Sequence, residues 1–186
     1  MDNLAIESIL GGEELVRSQF SVKEHTGLGL IRLQTFHRKP GAVDDLSHLL
    51  GVELPGPGET LADQNRQWFW SAPGEWIVAV YTGTEREVIS ALQERLDGLF
   101  VVLSLISDSR VTLNVTGSAA RDVLARGSTV DFHPASFGAG RCINTRLAGV
   151  PVMLACSVGG ESFLLFADRS VGHYLLEWFE AASGDA

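Results

Sequence analysis

Five histidines and two cysteines have the widest chemical repertoire in this chain, and their spacing keeps them apart. His25, His37, His48, His133 and His173 are scattered. No two stand at i, i+4, the separation that brings two imidazoles to one helical face. Neither Cys142 nor Cys156 has a second thiol or a histidine at the short spacings of zinc sites. A Cys142–His133 nucleophile pair is formally open. An attacking thiolate needs a basic neighbour, however, and no histidine is local to either cysteine. Cys156 lies in an apolar run and is expected to fill core. The adjacent acids Asp44-Asp45 and Glu13-Glu14 read as exposed surface. Gly138-Ala139-Gly140 follows a loop and leads into a strand, so it lacks the helix N-terminus that cradles a pyrophosphate. Gly117-Ser118 has no glycine two residues on, which excludes a GxSxG elbow.

Binding is the better use for several of the remaining residues. Trp68 and Trp70 fall on one side of an expected strand. Core packing is the ordinary role of a tryptophan. Yet tryptophan is enriched at interface hot spots, and a pair beside a proline turn can anchor a partner. Glu75, between Gly74 and Trp76, is expected to pair with an arginine such as Arg110 or else to be solvated. Asp108 and Arg110 flank a turn, and stabilising that turn is their simpler role. His133 sits in a loop. The candidate partner-contact residues are therefore Trp68, Trp70, Glu75, Trp76, Arg110 and His133.

The elements that position these residues follow from periodicity and punctuation. Residues 1 to about 20 are weakly patterned; Ala5, Ile6, Ile9 and Leu10 suit a short amphipathic turn ended by Gly11-Gly12, in an arm that orders against a partner. Gly29–Leu33 reads as a strand. Residues 39 to 67 are loop-rich, with one short helix over Ala42–Leu50 stopped by Gly51. Trp68–Tyr81 is a pair of strands around Ala72-Pro73-Gly74, where Pro-Gly fits a type II turn. Helices are expected near 86–96, 119–126 and 171–182, with Ser118 and Ser170 as caps and Arg121 and Asp122 on the outer side. Phe100–Leu105, a continuous apolar run, reads as a well-buried strand. Val111–Val115 alternates as a strand. Cys142–Leu147, Val150–Val158 and Ser162–Ala167 form a three-strand meander. The expected fold is α+β: a mostly antiparallel sheet with helices packed on one face, in two small lobes, about 1–105 with the arm and about 106–186.

Composition narrows the partners. Twenty-three acids against 14 bases give a net charge of −9, which argues against nucleic acid and anionic membrane surfaces. The small basic cluster at Arg38, Lys39 and Pro40 does not alter that. No secretory signal is visible and no apolar run approaches a membrane span, so the expected setting is the cytoplasm, with reduced thiols.

One ordered series of short segments goes further. It comprises Trp70–Ile77 (WSAPGEWI), Asp108-Ser109-Arg110, Val115–Leu124 (VTGSAARDVL) and Val130–Pro134 (VDFHP). Phe137, Gly140, Cys142, Thr145-Arg146 and Arg169-Ser170 continue it. In this order the segments resemble the gamma subunit of heterotetrameric sarcosine oxidase, across residues 68 to 182. The N-terminal part adds only Ile31-Arg32-Leu33 and Gly51–Pro55. Where the family often has Gly-Cys after the middle helix, this chain has Gly127-Ser128.

The resemblance implies a fold like that of folate-binding aminomethyltransferases. It implies a complex with alpha, beta and delta subunits that demethylates sarcosine oxidatively to glycine with oxygen and tetrahydrofolate. It places FAD, FMN, NAD and zinc in the partner subunits and assigns this chain no catalytic residue, no cofactor and no metal. Two other readings share the same residues. One is a stand-alone folate-binding protein, with Asp108 or Glu75 and a tryptophan around the pterin. The other is the equivalent subunit of a complex oxidising dimethylglycine or N-methylglutamate.

Overall fold

The tryptophan-rich block folds as its turn residues dictate. The computed structural model describes residues 8–36, 42–63, 65–157 and 159–184. In it Arg66–Ala72 and Glu75–Tyr81 pair antiparallel across Pro73-Gly74. Gly74 has φ +75°, the left-handed value that position i+2 of a type II turn needs. In chain order the strands are β1 (Glu14–Val16), β2 (Ser21–Glu24), β3 (Leu28–Thr35), β4 (Thr60–Asp63), β5 (Arg66–Ala72), β6 (Glu75–Tyr81), β7 (Val101–Leu105), β8 (Arg110–Thr116), β9 (Cys142–Leu147), β10 (Val150–Cys156) and β11 (Ser162–Asp168). The helices are α1 (Ala42–Leu50), α2 (Glu85–Arg95), α3 (Ala120–Gly127) and α4 (Gly172–Ser183).

Two units share the chain. Gly27–Asp108 form one, and the residues before and after it form the other. The inner unit is a five-stranded antiparallel sheet in the order β4-β5-β6-β3-β7. Alternation sends Ile31, Leu33, Trp68, Trp76, Val78 and Val80 to one face, where they pack with Leu46 and Leu50 of α1 and Leu92 of α2. The outer unit is a six-stranded antiparallel sheet in the order β1-β2-β8-β11-β10-β9. Here Val111, Leu113 and Val115 line up with Leu154, Leu165 and Ala167 against Val123 and Leu124 of α3 and Leu175 and Phe179 of α4. The α+β architecture with helices on one sheet face is therefore observed in both units.

Several local expectations need correction. The N-terminal segment is not a loose arm in its described part: β2 pairs with β8, and Leu10, Leu15, Phe20 and Val22 are buried in the outer unit's core. The boundary near residue 105 consequently fails for residues 8–26, which group with the C-terminal half. Ser118 does not cap α3; Ala119 occupies that position, and the Ser118 hydroxyl donates to Gln19 Oε1 at 3.3 Å. Ser170 is itself bonded by Asp168, whose carboxylate accepts from the Ser170 amide at 2.9 Å and opens the helical segment. Thr60–Asp63, for which the sequence suggests no element, is strand β4. β7 is not well buried. It is an edge strand, with Val102 40% and Leu105 42% exposed. The expected turn at Ala5-Ile6, His37, the Arg38-Lys39-Pro40 cluster and Val158 lie outside the described residues.

Candidate functional site

The segment from β8 through α3 and the loop after it converges on one side chain, Arg121. Thr116 ends β8, and Gly117 then turns the chain with φ +108°. A Cβ on Gly117 would sit 2.2 Å from the Gln19 carbonyl oxygen, so only glycine fits. That carbonyl accepts from the Ala119 amide at 3.0 Å and ties the start of α3 to the β1–β2 turn. In the first turn of the helix, Arg121 points inward rather than out. Its Nη1 donates to the carbonyls of Phe132 at 2.6 Å and Phe137 at 2.9 Å, and its Nη2 to the carbonyl of Gly160 at 2.8 Å. The guanidinium carbon stands 5.0 Å from the centroid of the Phe163 ring, a cation–π distance. Phe163 is in turn stacked on Phe137 and edge-on to Phe132.

A cleft of about 500 Å³ opens beside this arrangement, lined by Thr116, Ser118, Arg121, Glu161 and Ser162 among others. It has the size of a ligand site. Arg121, however, is already committed to three protein carbonyls, so the fork it would offer a carboxylate or phosphate is taken. The Cys156 thiol accepts a weak contact from Arg121 Nη2 at 3.6 Å. Burial pushes that thiol up, against the lowering effect of the Arg121 charge, so it is a poor nucleophile. Cys142 is buried too. His133 is exposed, and its Nδ1 accepts from the Ala135 amide at 3.2 Å. It serves its own turn, alongside Asp131, which accepts from the Ser136 hydroxyl and the His133 amide and is held below the ordinary carboxylate range by them. Among the described residues no group of three or more His, Cys, Asp or Glu gathers where it could hold a metal ion.

The other sequence candidates divide between the two units. Trp68, Trp70, Glu75 and Trp76 come together on the β5–β6 hairpin, with Trp70 directly opposite Trp76. Trp68 and Trp76 are buried core, and their indole N–H groups are satisfied inside: Trp68 by Asp63 at 3.1 Å, Trp76 by the Pro55 carbonyl at 2.9 Å. Neither presents a surface to a partner. Trp70 is half-buried against the same cluster. Asp63 also receives Arg66, with Nη2 at 2.8 Å. Burial pushes the Asp63 carboxyl up, but the bonds from Arg66 and Trp68 outweigh it and hold the group below its usual range. Glu75 does not pair with Arg110; it accepts from Ser71 at 2.9 Å and Gln34 at 2.7 Å. Arg110 stands opposite Asp168 in the β8–β11 register.

Sequence reasoning missed three features. Apolar spacing alone puts Arg121 on the outer side of α3, because a helical wheel does not show that the 128–141 loop folds back over it. Arg32, on β3 next to the edge of the inner sheet, has its Nε buried without a hydrogen-bond partner among the described residues. The third is an apolar patch around β7, where Phe36 and Phe100 meet at 5.3 Å between ring centroids while exposed at 54% and 65%.

A model of the sarcosine oxidase, gamma subunit family matches residues 38–185. The chain belongs to this family. It is 32% identical over 140 residues to the sarcosine oxidase subunit gamma of Corynebacterium sp. (strain U-96), a match covering 72% of this chain and 64% of that protein. To the sarcosine oxidase subunit gamma of Arthrobacter sp it is 34% identical over 141 residues, 71% of this chain and 66% of the relative. The matches thus span about two thirds of the length of these curated relatives. Among solved structures, the heterotetrameric sarcosine oxidase from Corynebacterium sp. U-96 in complex with pyrrole 2-carboxylate aligns with a TM-score of 0.79 and 26% identity, over 92% of this chain and 88% of that one. The glycine cleavage system aminomethyltransferase T from Bartonella henselae aligns with a TM-score of 0.65 at 18% identity, over 88% of this chain and 46% of that one, which shows a shared fold. The family membership and the aminomethyltransferase-like fold implied by the sequence segments therefore both hold.

Proposed function

We propose that this chain is the gamma subunit of a heterotetrameric sarcosine-oxidase-type complex and contributes to its assembly and stability rather than to its chemistry. The observation that carries this reading is the joint match of the family model over residues 38–185 and of the solved heterotetramer over 92% of the chain. The internal commitments of Arg121, Cys156 and His133 support a scaffolding role, since each chemically capable group is used within the fold. In this reading the alpha, beta and delta chains are the partners and hold FAD, FMN, NAD and zinc. The complex oxidatively demethylates sarcosine to glycine with oxygen and tetrahydrofolate, in the cytoplasm.

Purification of the tagged chain from its native host tests this. Stoichiometric recovery with flavin-containing chains and sarcosine-dependent oxygen consumption is expected. A stable, flavin-free monomer with no partner would refute it. Titration of the isolated chain with tetrahydrofolate separates the stand-alone folate-binding reading, and no binding is expected up to millimolar ligand. Substrate choice among sarcosine, dimethylglycine and N-methylglutamate is read from the reconstituted complex with a panel of N-methyl amines.

A further inference from the structure

Sheet edges carry unpaired backbone donors and acceptors, and proteins blunt them with charge, proline or brevity. Among the described residues, three of the four edge strands conform. β1 is three residues long with Glu14, β4 is four residues long and ends in Asp63, and β9 contains Arg146. β7 does not. Its sequence Val-Val-Leu-Ser-Leu has no charge and no proline, and its register with β3 is uninterrupted from Val101 to Leu105.

The bonds Phe36 N–H to Phe100 O and Ile106 N–H to Leu30 O fix the phase of that pairing. Even-numbered residues of β7 face β3, so the N–H and C=O groups of Leu103 and Leu105 point to the open side. Nothing among the described residues pairs with that side. Apolar side chains are exposed on both faces of this edge: Phe36 and Val102 on one, Leu105 on the other.

A second observation specifies what belongs there. Arg32, one strand in from the edge, stands opposite Ser104 of β7 and shares its face with Val102. Its Nε is buried and unbonded, and no carboxylate of the described residues pairs with it. A cation half-buried without a counter-ion is a complementary site for an acid.

We propose that β7 is the docking edge for an extended segment of a partner subunit, which adds a strand beside it and places an acidic side chain against Arg32. This rests on the subunit reading above. The test is hydrogen exchange of the wild-type chain, alone and in the complex reconstituted with its flavin-bearing partner chains. The Leu103 and Leu105 amides are expected to slow at least tenfold on assembly. The double variant Val102→Lys, Leu105→Lys is expected to weaken assembly at least tenfold with the isolated chain's melting temperature unchanged. Arg32→Met is expected to weaken assembly and flatten its salt dependence.

Unchanged exchange at β7 in a complex that does form overturns this inference and leaves the subunit reading intact. The same protection in a homodimer of the isolated chain also overturns it, because a second copy then occupies the edge. Failure of the wild type to assemble with any partner overturns the subunit reading and this one with it.

Discussion

Replacing Arg121 with methionine isolates what the guanidinium does, because the apolar stem is retained. The substitution removes three charge-assisted bonds to backbone carbonyls, at 2.6, 2.9 and 2.8 Å, and the contact with the Phe163 ring. At about 1.5 kcal/mol for each bond and roughly 0.5 kcal/mol for the ring contact, the gross loss is about 5 kcal/mol. Water reaching the half-buried site recovers part of this, leaving about 3 kcal/mol. For a chain of this length that corresponds to a fall in melting temperature of roughly 10 °C. Urea unfolding followed by circular dichroism measures it, with an unchanged m-value showing that the denatured state is not altered. Arg121→Lys is expected to recover less than half, since one ammonium cannot hold three diverging carbonyls. A loss under about 1 kcal/mol for Arg121→Met, or any gain in stability, would refute the reasoning. The latter is the signature of a cation kept for a ligand at the expense of the fold.

Further outcomes follow from other sites. Gly127→Ala places a Cβ 2.4 Å from Trp178 Cζ2 and is expected to destabilise by about 1–3 kcal/mol, with a shift in tryptophan emission as the indole is displaced. The folded Asp63 carboxyl lies below its unfolded value of about 3.9, so its stabilisation is complete above that pH and is lost as pH falls through the lower folded value. Asp63→Asn should therefore flatten the acid limb of stability below about pH 4 in a pH series of melting temperatures. Cys142 and Cys156 are both buried, and the folded chain is expected to react with a thiol reagent only as fast as it opens. Fast labelling of either at neutral pH would contradict this.

Much of the fold was legible because local chemistry and tertiary structure agree. Pro73-Gly74 turns the β5–β6 hairpin, Gly51 with φ +67° ends α1, and the apolar spacing of Leu175 and Phe179 places α4 on its sheet. β1 and β2 escaped notice because three or four residues do not establish an alternation. β7 was misjudged for a different reason. A continuous apolar run marks a strand that is covered on both sides, but not whether the cover comes from the same chain. The candidate site was less legible still. Residue type alone makes Trp68 and Trp76 contact candidates, and nothing in the sequence shows that Asp63 and Pro55 satisfy their N–H groups inside. Arg121 and Arg32 depend on contacts across long sequence separations that no window captures.

The inserted arrangement of the two units sets an order of events during synthesis. The inner unit, Gly27–Asp108, has every one of its strands and helices once its own last residue leaves the ribosome. The outer unit does not, since β2 must wait for β8, and the buried Phe20 and Val22 wait with it. Residues 8–26 are thus made before the inner unit but placed after it, reversing the usual N-to-C progression. During that interval the nascent chain carries an unfinished pair of strands beside a finished inner unit. Truncation of the C-terminal half should accordingly leave residues 8–26 open to protease while sparing the inner sheet.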